Sequence, residues 1–255
     1  MRIAIVNPNT ISSMTDAVVG FAAPSARPET ELVGITPTSG ALSIESHIDE
    51  VHGAASVLTE VLRLEDGPAD ARPDAYVIAC FGDTGLAGAR EAATGPVVGM
   101  TEAALVTAAL IAHRFTIITM PARTIEQSDR VVRTLGLGHR ATVRAVDEPV
   151  SEVTHGSLHL LDLFVEEGRR AISDDRAEAI ILGCAGLADL VEPLSAALGV
   201  PVIEGVAAGV SIAEGLLAQG LSTSRHSTWA QPSSRAQPNS GARQSTGARP
   251  TGGHS

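Results

Sequence analysis

Two segments of this chain read as copies of one another, and this duplication constrains the fold more than any other feature. The first, DAYVIACFGDTGL, spans residues 74–86, and the second, EAIILGCAGLADL, spans residues 178–190. Each is a short apolar run that ends at a cysteine, followed two residues later by glycine and then by a helical pattern. Cys80 and Cys184 are the only cysteines in the chain. We therefore expect two related halves, each presenting one thiol at the end of an equivalent strand.

Short β-type runs alternate with helical patterns over most of the chain. The predicted strands cover residues 3–7, 31–36, 76–80, 97–100, 115–120, 142–146, 179–184 and 200–203. Between them lie helical repeats such as residues 48–64, where Ile48, Val51, Ala55, Leu58 and Leu62 fall on one face. Near-continuous apolar strands alternating with helices predict an α/β fold built on doubly wound parallel sheets.

The repeat also sets the expected domain boundaries. IAIVNPNT near the start resembles IITMPART in the middle, and both are apolar runs broken by proline before a helical pattern. We predict a first α/β domain from residues 1–97 plus 205–221 and a second from residues 98–204. Residues 222–255 are rich in Ser, Thr, Arg, Gln, Pro and Gly, so we predict a disordered tail. Ligands of such sheets bind beyond the carboxyl ends of the strands, which predicts one cleft between the two domains.

Composition excludes several classes of protein. The net charge of −11 argues against nucleic acid and anionic membranes as partners. All eighteen basic residues are arginine, so a Schiff-base lysine, pyridoxal phosphate chemistry and a Walker A site are excluded. No segment approaches the roughly 18 apolar residues of a membrane-spanning helix. The first residues lack the apolar region of a signal peptide, so we expect a cytoplasmic protein with reduced thiols.

Two thiols at equivalent strand ends suit the exchange of a proton at a carbon atom. Removing a proton from one face of the carbon and returning it from the other requires two acid/base groups on opposite sides. A thiol pKa of about 8.5 can be lowered at a helix N-terminus, and both cysteines precede a helical pattern. The alternatives are buried, inert cysteines or a structural disulfide between Cys80 and Cys184. The duplicated placement favours the catalytic pair.

Residues around the thiols are candidates for substrate binding. Gly82 and Gly186 each follow a cysteine by two residues, where glycine lets backbone N–H groups approach a ligand oxygen, although a plain turn explains them equally well. Asp83 is expected to cap the following helix. Of Asn7 and Asn9, one is expected to cap a helix and the other to bind a ligand carbonyl. The hydroxyl-rich loop 36–46 could line or cover the cleft, or be a polar turn in which Ser46 caps the next helix and Asp49 completes a pattern like a capping box.

A metal site is not predicted. His155 and His159 have the i, i+4 spacing of a helical zinc site, but no HExxH pattern or nearby acidic ligand accompanies them. An exposed helix face explains this pair better. No GxGxxG motif follows a strand, so a nucleotide site is not predicted either.

Five motifs resemble those of the hydantoin and allantoin racemases, which belong to the aspartate/glutamate racemase superfamily. They are NPNT, SIES with IDE, ACFGDTGL, LGCAGLADL and VPVIEGV, and the resemblance covers about residues 1–225. Thr84 stands where the family pattern has proline, and Glu204 stands where it has aspartate. The first change is expected to loosen the turn without affecting the thiol, and the second to alter a contact behind the site.

The resemblance implies two pseudo-twofold-related domains, a homo-oligomer, no cofactor, and a small cyclic ureide as substrate. It implies that Cys80 and Cys184 act as acid and base on opposite faces of the chiral carbon. The residues expected to hold the substrate are Asn9, Ser43, Phe81, Gly82, Asp83, Thr119, Gly183, Ala185 and Gly186.

The sequence thus predicts a cofactor-independent racemase of 5-substituted hydantoins, with allantoin, a product of purine breakdown, as a natural candidate. One alternative is a racemase of aspartate or glutamate, or a maleate-type isomerase, on the same fold. Both would need a carboxylate site, and Arg123 is the one obvious cation in the predicted cleft loops. A second alternative is a thiol-sensing, ligand-binding protein without catalytic activity.

Overall fold

Two four-stranded parallel sheets with the same topology form the framework. The computed structural model describes residues 1–231. The first sheet contains β1 (Arg2–Val6), β2 (Glu31–Ile35), β3 (Ala75–Ile78) and β4 (Val97–Gly99), in the order β2-β1-β3-β4. The second contains β5 (Phe115–Thr119), β6 (Ala141–Ala145), β7 (Ala179–Gly183) and β8 (Val202–Ile203), in the order β6-β5-β7-β8. All neighbouring strands are parallel, which confirms the predicted α/β fold.

Helices connect and cover the strands. They are α1 (Ser12–Ala22), α2 (His47–Glu65), α3 (Leu86–Ala92), α4 (Met100–Ile111), α5 (Ile125–Thr134), α6 (Leu161–Asp174), α7 (Val191–Leu198) and α8 (Gly205–Ala218). Short 3-10 helices cover Ala23–Ser25, Ala122–Thr124, Val150–Val153, Leu158–Leu160, Ala185–Leu190 and Ser227–Trp229. Every residue of β3, β5 and β7 is buried, because helices shield both faces of these central strands. Within residues 1–231, no helix has the length and apolar character needed to cross a bilayer.

The apolar face predicted for α2 is wrong in its first turns. Ile48 and Val51 are 71% and 70% exposed, whereas Val57 and Val61 are fully buried. The buried face also includes Glu65, whose carboxylate accepts hydrogen bonds from the Tyr76 hydroxyl and the Thr94 hydroxyl at 2.8 and 2.6 Å. The apolar pattern misplaced the buried face because two partnered carboxylates, Glu60 and Glu65, occupy buried positions of the helix.

The prediction that His155 and His159 lie on one exposed helix face is also wrong. His155 lies in a turn, and His159 lies in the 3-10 helix Leu158–Leu160 that precedes α6. Gly156 between them has a φ of 103°, a left-handed conformation that breaks helical continuity. Among the described residues, no group of three or more potential metal ligands is present.

The start of the predicted tail packs against the first sheet's helices. The Ser222 hydroxyl donates to the Thr94 carbonyl at 2.8 Å, and Arg225 donates to the Arg90 carbonyl at 2.7 Å. The Arg90 guanidinium lies 5.8 Å from the centre of the Trp229 ring. The rest of the predicted tail, residues 232–255, lies outside the described residues. The domain boundaries stay predictions.

Candidate active site

Both cysteines line one cavity between the two sheets. Cys80 follows β3 and Cys184 follows β7, the central strands that occupy equivalent places in the two sheets. The cavity has a volume of about 40 Å³. It is also lined by five of the predicted binding residues: Asn9, Phe81, Thr119, Gly183 and Ala185. The repeat therefore brings the carboxyl ends of corresponding strands around one space.

The Cys80 thiol contacts Thr84, which stands where the family that the sequence resembles is expected to have proline. Its Sγ lies 3.3 Å from Oγ1 of Thr84, so the expectation that this departure leaves the thiol unaffected is wrong. Burial raises the pKa of Cys80 to about 12, with further increases from Cys184 and Asp83, while the Thr84 hydrogen bond lowers it. A hydroxyl at this position therefore stabilises the thiolate against its buried surroundings.

The Cys184 thiol lies at the start of a 3-10 helix, Ala185–Leu190. The backbone N–H of Gly186 lowers the pKa of Cys184, but burial outweighs it and, with Glu45 and Glu204, raises that pKa to about 11. The expectation of lowered thiol pKa values is therefore wrong for both cysteines in this state. The predicted signal, a following helix, is present, but desolvation is the larger effect.

Asn9 presents an N–H donor to the cavity because its side-chain oxygen is already occupied. Oδ1 of Asn9 accepts hydrogen bonds from Nδ2 of Asn7 at 2.9 Å and from the backbone N–H of Ile11 at 3.0 Å. A backbone N–H can only donate, so it fixes which end of the amide is oxygen. Nδ2 of Asn9 contacts only the weak acceptor Sδ of Met14, at 3.3 Å, and can donate to a ligand carbonyl.

Thr119 supports the turn at Cys184 more than it offers a free hydroxyl. Its Oγ1 donates to the Gly183 carbonyl at 3.1 Å and lies 2.9 Å from Oγ1 of Thr124. Gly183 permits this approach, since a Cβ there would lie 2.6 Å from the Thr119 Cα. The hydroxyls are committed to holding β5 against β7 beside the thiol.

Four predicted binding residues do not line the cavity. Ser43 does not line the cavity, whereas its buried neighbour Ile44 does. The backbone N–H of Gly82 is bound by Oγ1 of Thr101 at 2.8 Å. Gly186 packs against Val153, with which an added Cβ would collide at 2.5 Å.

The fourth, Asp83, caps a helix, but not the one that follows it. Its carboxylate accepts the backbone N–H groups of Thr101 and Glu102 at 2.8 and 3.0 Å, at the start of α4. Glu204, the second departure from the family pattern, likewise accepts the N–H groups of Val206 and Ala207 at 2.8 Å, at the start of α8. Both carboxylates hold helix ends behind the site.

Sequence reasoning missed the contribution of α5. Gln127 and Ser128 line the cavity, together with Thr124 just before the helix. The predicted cleft loops included Arg123, just before this helix, but not the first turns of α5. The sequence signal that could have identified them is the presence of polar residues, Gln127 and Ser128, on the side of α5 that faces the sheet. The apolar remainder of the wall is formed by Pro8, Met14, Ile44, Ala79, Met120 and Val150.

The cavity wall carries no charged side chain among the described residues. Arg123 is exposed and lies outside the lining. Two carboxylates near the cysteines instead join the two sheets: Oε1 of Glu45 accepts the backbone N–H of Val150 at 3.1 Å, and Glu50 forms an ion pair with Arg130. The cavity wall is therefore without charge, and contacts between the two halves lie beside it.

Known hydantoin and allantoin racemases are similar to this chain over most of its length. A family model described as Asp/Glu/hydantoin racemase matches residues 3–213. A hydantoin racemase from Rhizobium meliloti is 40% identical, with 91% of this chain and 95% of that protein covered. One from Pseudomonas sp. (strain NS671) is 37% identical, with 92% and 93% covered. The solved allantoin racemase from Klebsiella pneumoniae has a TM-score of 0.86 and 39% identity, with 91% of this chain and 94% of that chain covered.

Proposed function

Because this chain belongs to the Asp/Glu/hydantoin racemase family, we propose that it racemises 5-substituted hydantoins, allantoin among them, using Cys80 and Cys184 as acid and base. The chain is an isomerase of the racemase type, and its relatives support hydantoin-type rings as substrates. The finer elements of the proposal are the two-cysteine mechanism and the independence from any cofactor. The site geometry supports them as follows.

The observation that carries the proposal is a pair of cysteines in one uncharged cavity. A dicarboxylate substrate requires cations or several aligned N–H donors to replace its hydration. The described cavity wall offers no Arg or His, and the nearby carboxylates Glu45 and Glu50 would repel an anion. A neutral ring is therefore favoured over aspartate, glutamate or maleate.

The chemistry needs no more than the residues present. The C5 proton of a hydantoin is acidified by the adjacent C4 carbonyl, so an electron-sink cofactor is unnecessary. One thiolate removes the C5 proton, negative charge develops on the C4 oxygen, and the opposite thiol donates a proton to the other face. The Asn9 amide N–H is placed to stabilise that oxygen in a cavity of low dielectric constant. In the reverse direction the two cysteines exchange roles.

Proton exchange at C5 tests the proposal directly. Purified protein is incubated in D2O with single-enantiomer allantoin or 5-benzylhydantoin, and proton NMR and optical rotation are followed beside a no-enzyme control. We expect loss of the C5 signal together with loss of rotation. Cys80→Ser and Cys184→Ser should each reduce racemisation by about 10²–10⁴-fold, because each removes one acid/base group.

The outcomes separate the alternatives. Wild-type turnover by either serine variant would contradict the two-thiol mechanism. Activity on aspartate, glutamate or maleate instead of hydantoins would establish the dicarboxylate alternative, and no exchange on any substrate would leave the ligand-binding alternative. The cytoplasmic location, the homo-oligomer and the role in purine breakdown stay predictions.

A further inference from the structure

Two neighbouring polar side chains on α5 face the cavity without a partner. Gln127 is 5% exposed and Ser128 is 1% exposed, and both line the cavity. Within residues 1–231, neither side chain makes a hydrogen bond. Gln127 lies beside the turn that follows Cys80, since a Cβ on Gly82 would be 3.3 Å from the Gln127 Cβ. Their polar atoms stay open to the cavity, since the sealed and unpartnered side-chain atoms of the described residues are Arg72 Nε and Arg225 Nη2, so a ligand in the cavity can bond to them.

The other polar side chains of the cavity are already engaged. The Asn9 oxygen is occupied by Asn7 and Ile11, which leaves an N–H donor only. The two hydroxyl protons of Thr119 and Thr124 are taken up between these hydroxyls and the carbonyls of Gly183 and Pro121, so neither hydroxyl is free to donate to a ligand. Apart from the thiols, the Asn9 N–H and the lone pairs of the two threonine hydroxyls, the uncommitted side-chain hydrogen-bonding groups of the described wall therefore belong to Gln127 and Ser128.

The chemistry of these groups specifies what they can bind. A primary amide presents an acceptor oxygen and a donor NH2 side by side in one plane, and a hydroxyl adds one donor and one acceptor. Their complement is a group with N–H beside C=O, which both the hydantoin ring and the ureido arm of allantoin carry. Where the two side chains face the C5 substituent, an alkyl group would leave them facing carbon, whereas the ureido arm supplies N–H and C=O together.

We propose that Gln127 and Ser128 form a specificity pocket for a C5 substituent that carries adjacent N–H and C=O groups, so that the enzyme prefers allantoin to alkyl hydantoins. The inference rests on the proposed racemase function and adds the substrate class. Its contribution is to substrate choice, because neither side chain is needed for proton transfer at C5.

Paired substrates test this selectivity. We would measure kcat/KM for single enantiomers of allantoin and of 5-methylhydantoin with the wild-type enzyme, Gln127→Met, Ser128→Ala and the matched surface control Gln219→Met. Gln219 is exposed at the end of α8 and bonds only to the Gly215 carbonyl. We expect Gln127→Met to lose about 10–100-fold on allantoin and less than about threefold on 5-methylhydantoin. Ser128→Ala should show a smaller loss with the same selectivity.

Each outcome decides the inference. Equal losses on both substrates with Gln127→Met would assign Gln127 to the ring or to folding, and would overturn the proposed pocket while leaving the racemase activity intact. Unchanged allantoin turnover in both α5 variants would also overturn it. If the wild-type enzyme exchanges neither substrate, the proposed function fails, and the specificity pocket fails with it. Thermal unfolding of every variant verifies that the substituted chains are folded.

Discussion

At the scale of single residues, burial and hydrogen bonding shift the pKa of each thiol in opposite directions. Burial raises the pKa of Cys80 to about 12 and that of Cys184 to about 11, while one hydrogen bond at each thiol acts against it. These pKa values predict that the free enzyme holds both cysteines as thiols at neutral pH. The general base is scarce, and its population should limit the rate.

This balance predicts a rate that rises with pH and can be shifted in both directions. Because the thiolate fraction grows about tenfold per pH unit below the pKa, kcat/KM should rise steadily between pH 7 and 10. Thr84→Val removes the bond that lowers the Cys80 pKa and should shift the profile to higher pH. Glu45→Gln removes a charge that raises the Cys184 pKa and should shift it to lower pH. Polarimetry corrected for the uncatalysed rate measures all three, and a flat wild-type profile would refute this account.

At the scale of elements, the turn after Cys80 is attached to α4 by Asp83. This residue has a left-handed φ of 55°, which directs its carboxylate to the backbone N–H groups that begin α4. Gly99 leaves the necessary room, since a Cβ there would lie 2.3 Å from the Asp83 carboxyl carbon. Burial raises the pKa of Asp83 to about 7, and the two N–H groups lower it only in part. Asp83 therefore holds the turn that follows Cys80, and its carboxyl group changes protonation state near neutral pH.

The raised pKa of Asp83 gives stability a defined pH dependence. Between about pH 4 and pH 7 the folded state binds the proton that the unfolded state has released, so stability should fall as pH rises and level off above 7. The difference from Asp83→Asn, measured by urea unfolding, should decline by up to about 1.4 kcal/mol per pH unit in that range. Asp129→Asn, on the exposed side of α5, is the control. If the wild type and Asp83→Asn stay parallel from pH 4 to 7, the assignment is wrong.

At the scale of the whole molecule, the cavity lies between the two halves and its free space is small, so we expect the halves to move apart when a ring substrate binds. About 40 Å³ holds only a few water molecules. The two halves meet beside it through the Glu45 bond to Val150 and the Glu50–Arg130 ion pair. The Arg130 side chain is 43% exposed, and partly exposed pairs contribute at most about 1 kcal/mol, so opening should be inexpensive.

Loss of the ion pair between the halves should therefore make the thiols more accessible. Arg130→Ala is expected to increase the rate of thiol modification by about two- to fivefold at fixed pH, because the closed state loses part of its stabilisation. Arg133→Ala is the matched control, since Arg133 lies on the same helix but pairs with Glu126 and Asp129 within its own half. Equal labelling rates for the two variants would show that the Glu50–Arg130 pair does not hold the cleft closed.

Much of this molecule followed from the sequence alone because its determinants are local. Apolar runs, their alternation with helices and the repeated Cys-x-Gly segments located every strand within a few residues and indicated the two parallel sheets. The same repeat placed both cysteines at strand ends. Parallel sheets align such ends in space, so the pairing of the thiols in one cavity needed no knowledge of side-chain packing.

Tertiary structure alone decided which neighbours face the cavity and how the thiols titrate. Ile44 rather than Ser43 points inward, Gly82 and Asp83 serve the α4 end, and Gln127 and Ser128 enter from a helix that the motifs do not mark. These choices depend on how helices pack across the sheets, which no local pattern records. The thiol pKa values depend mainly on burial, which is a property of the assembled fold. The helical pattern after each cysteine therefore predicted the wrong sign for the net pKa shift.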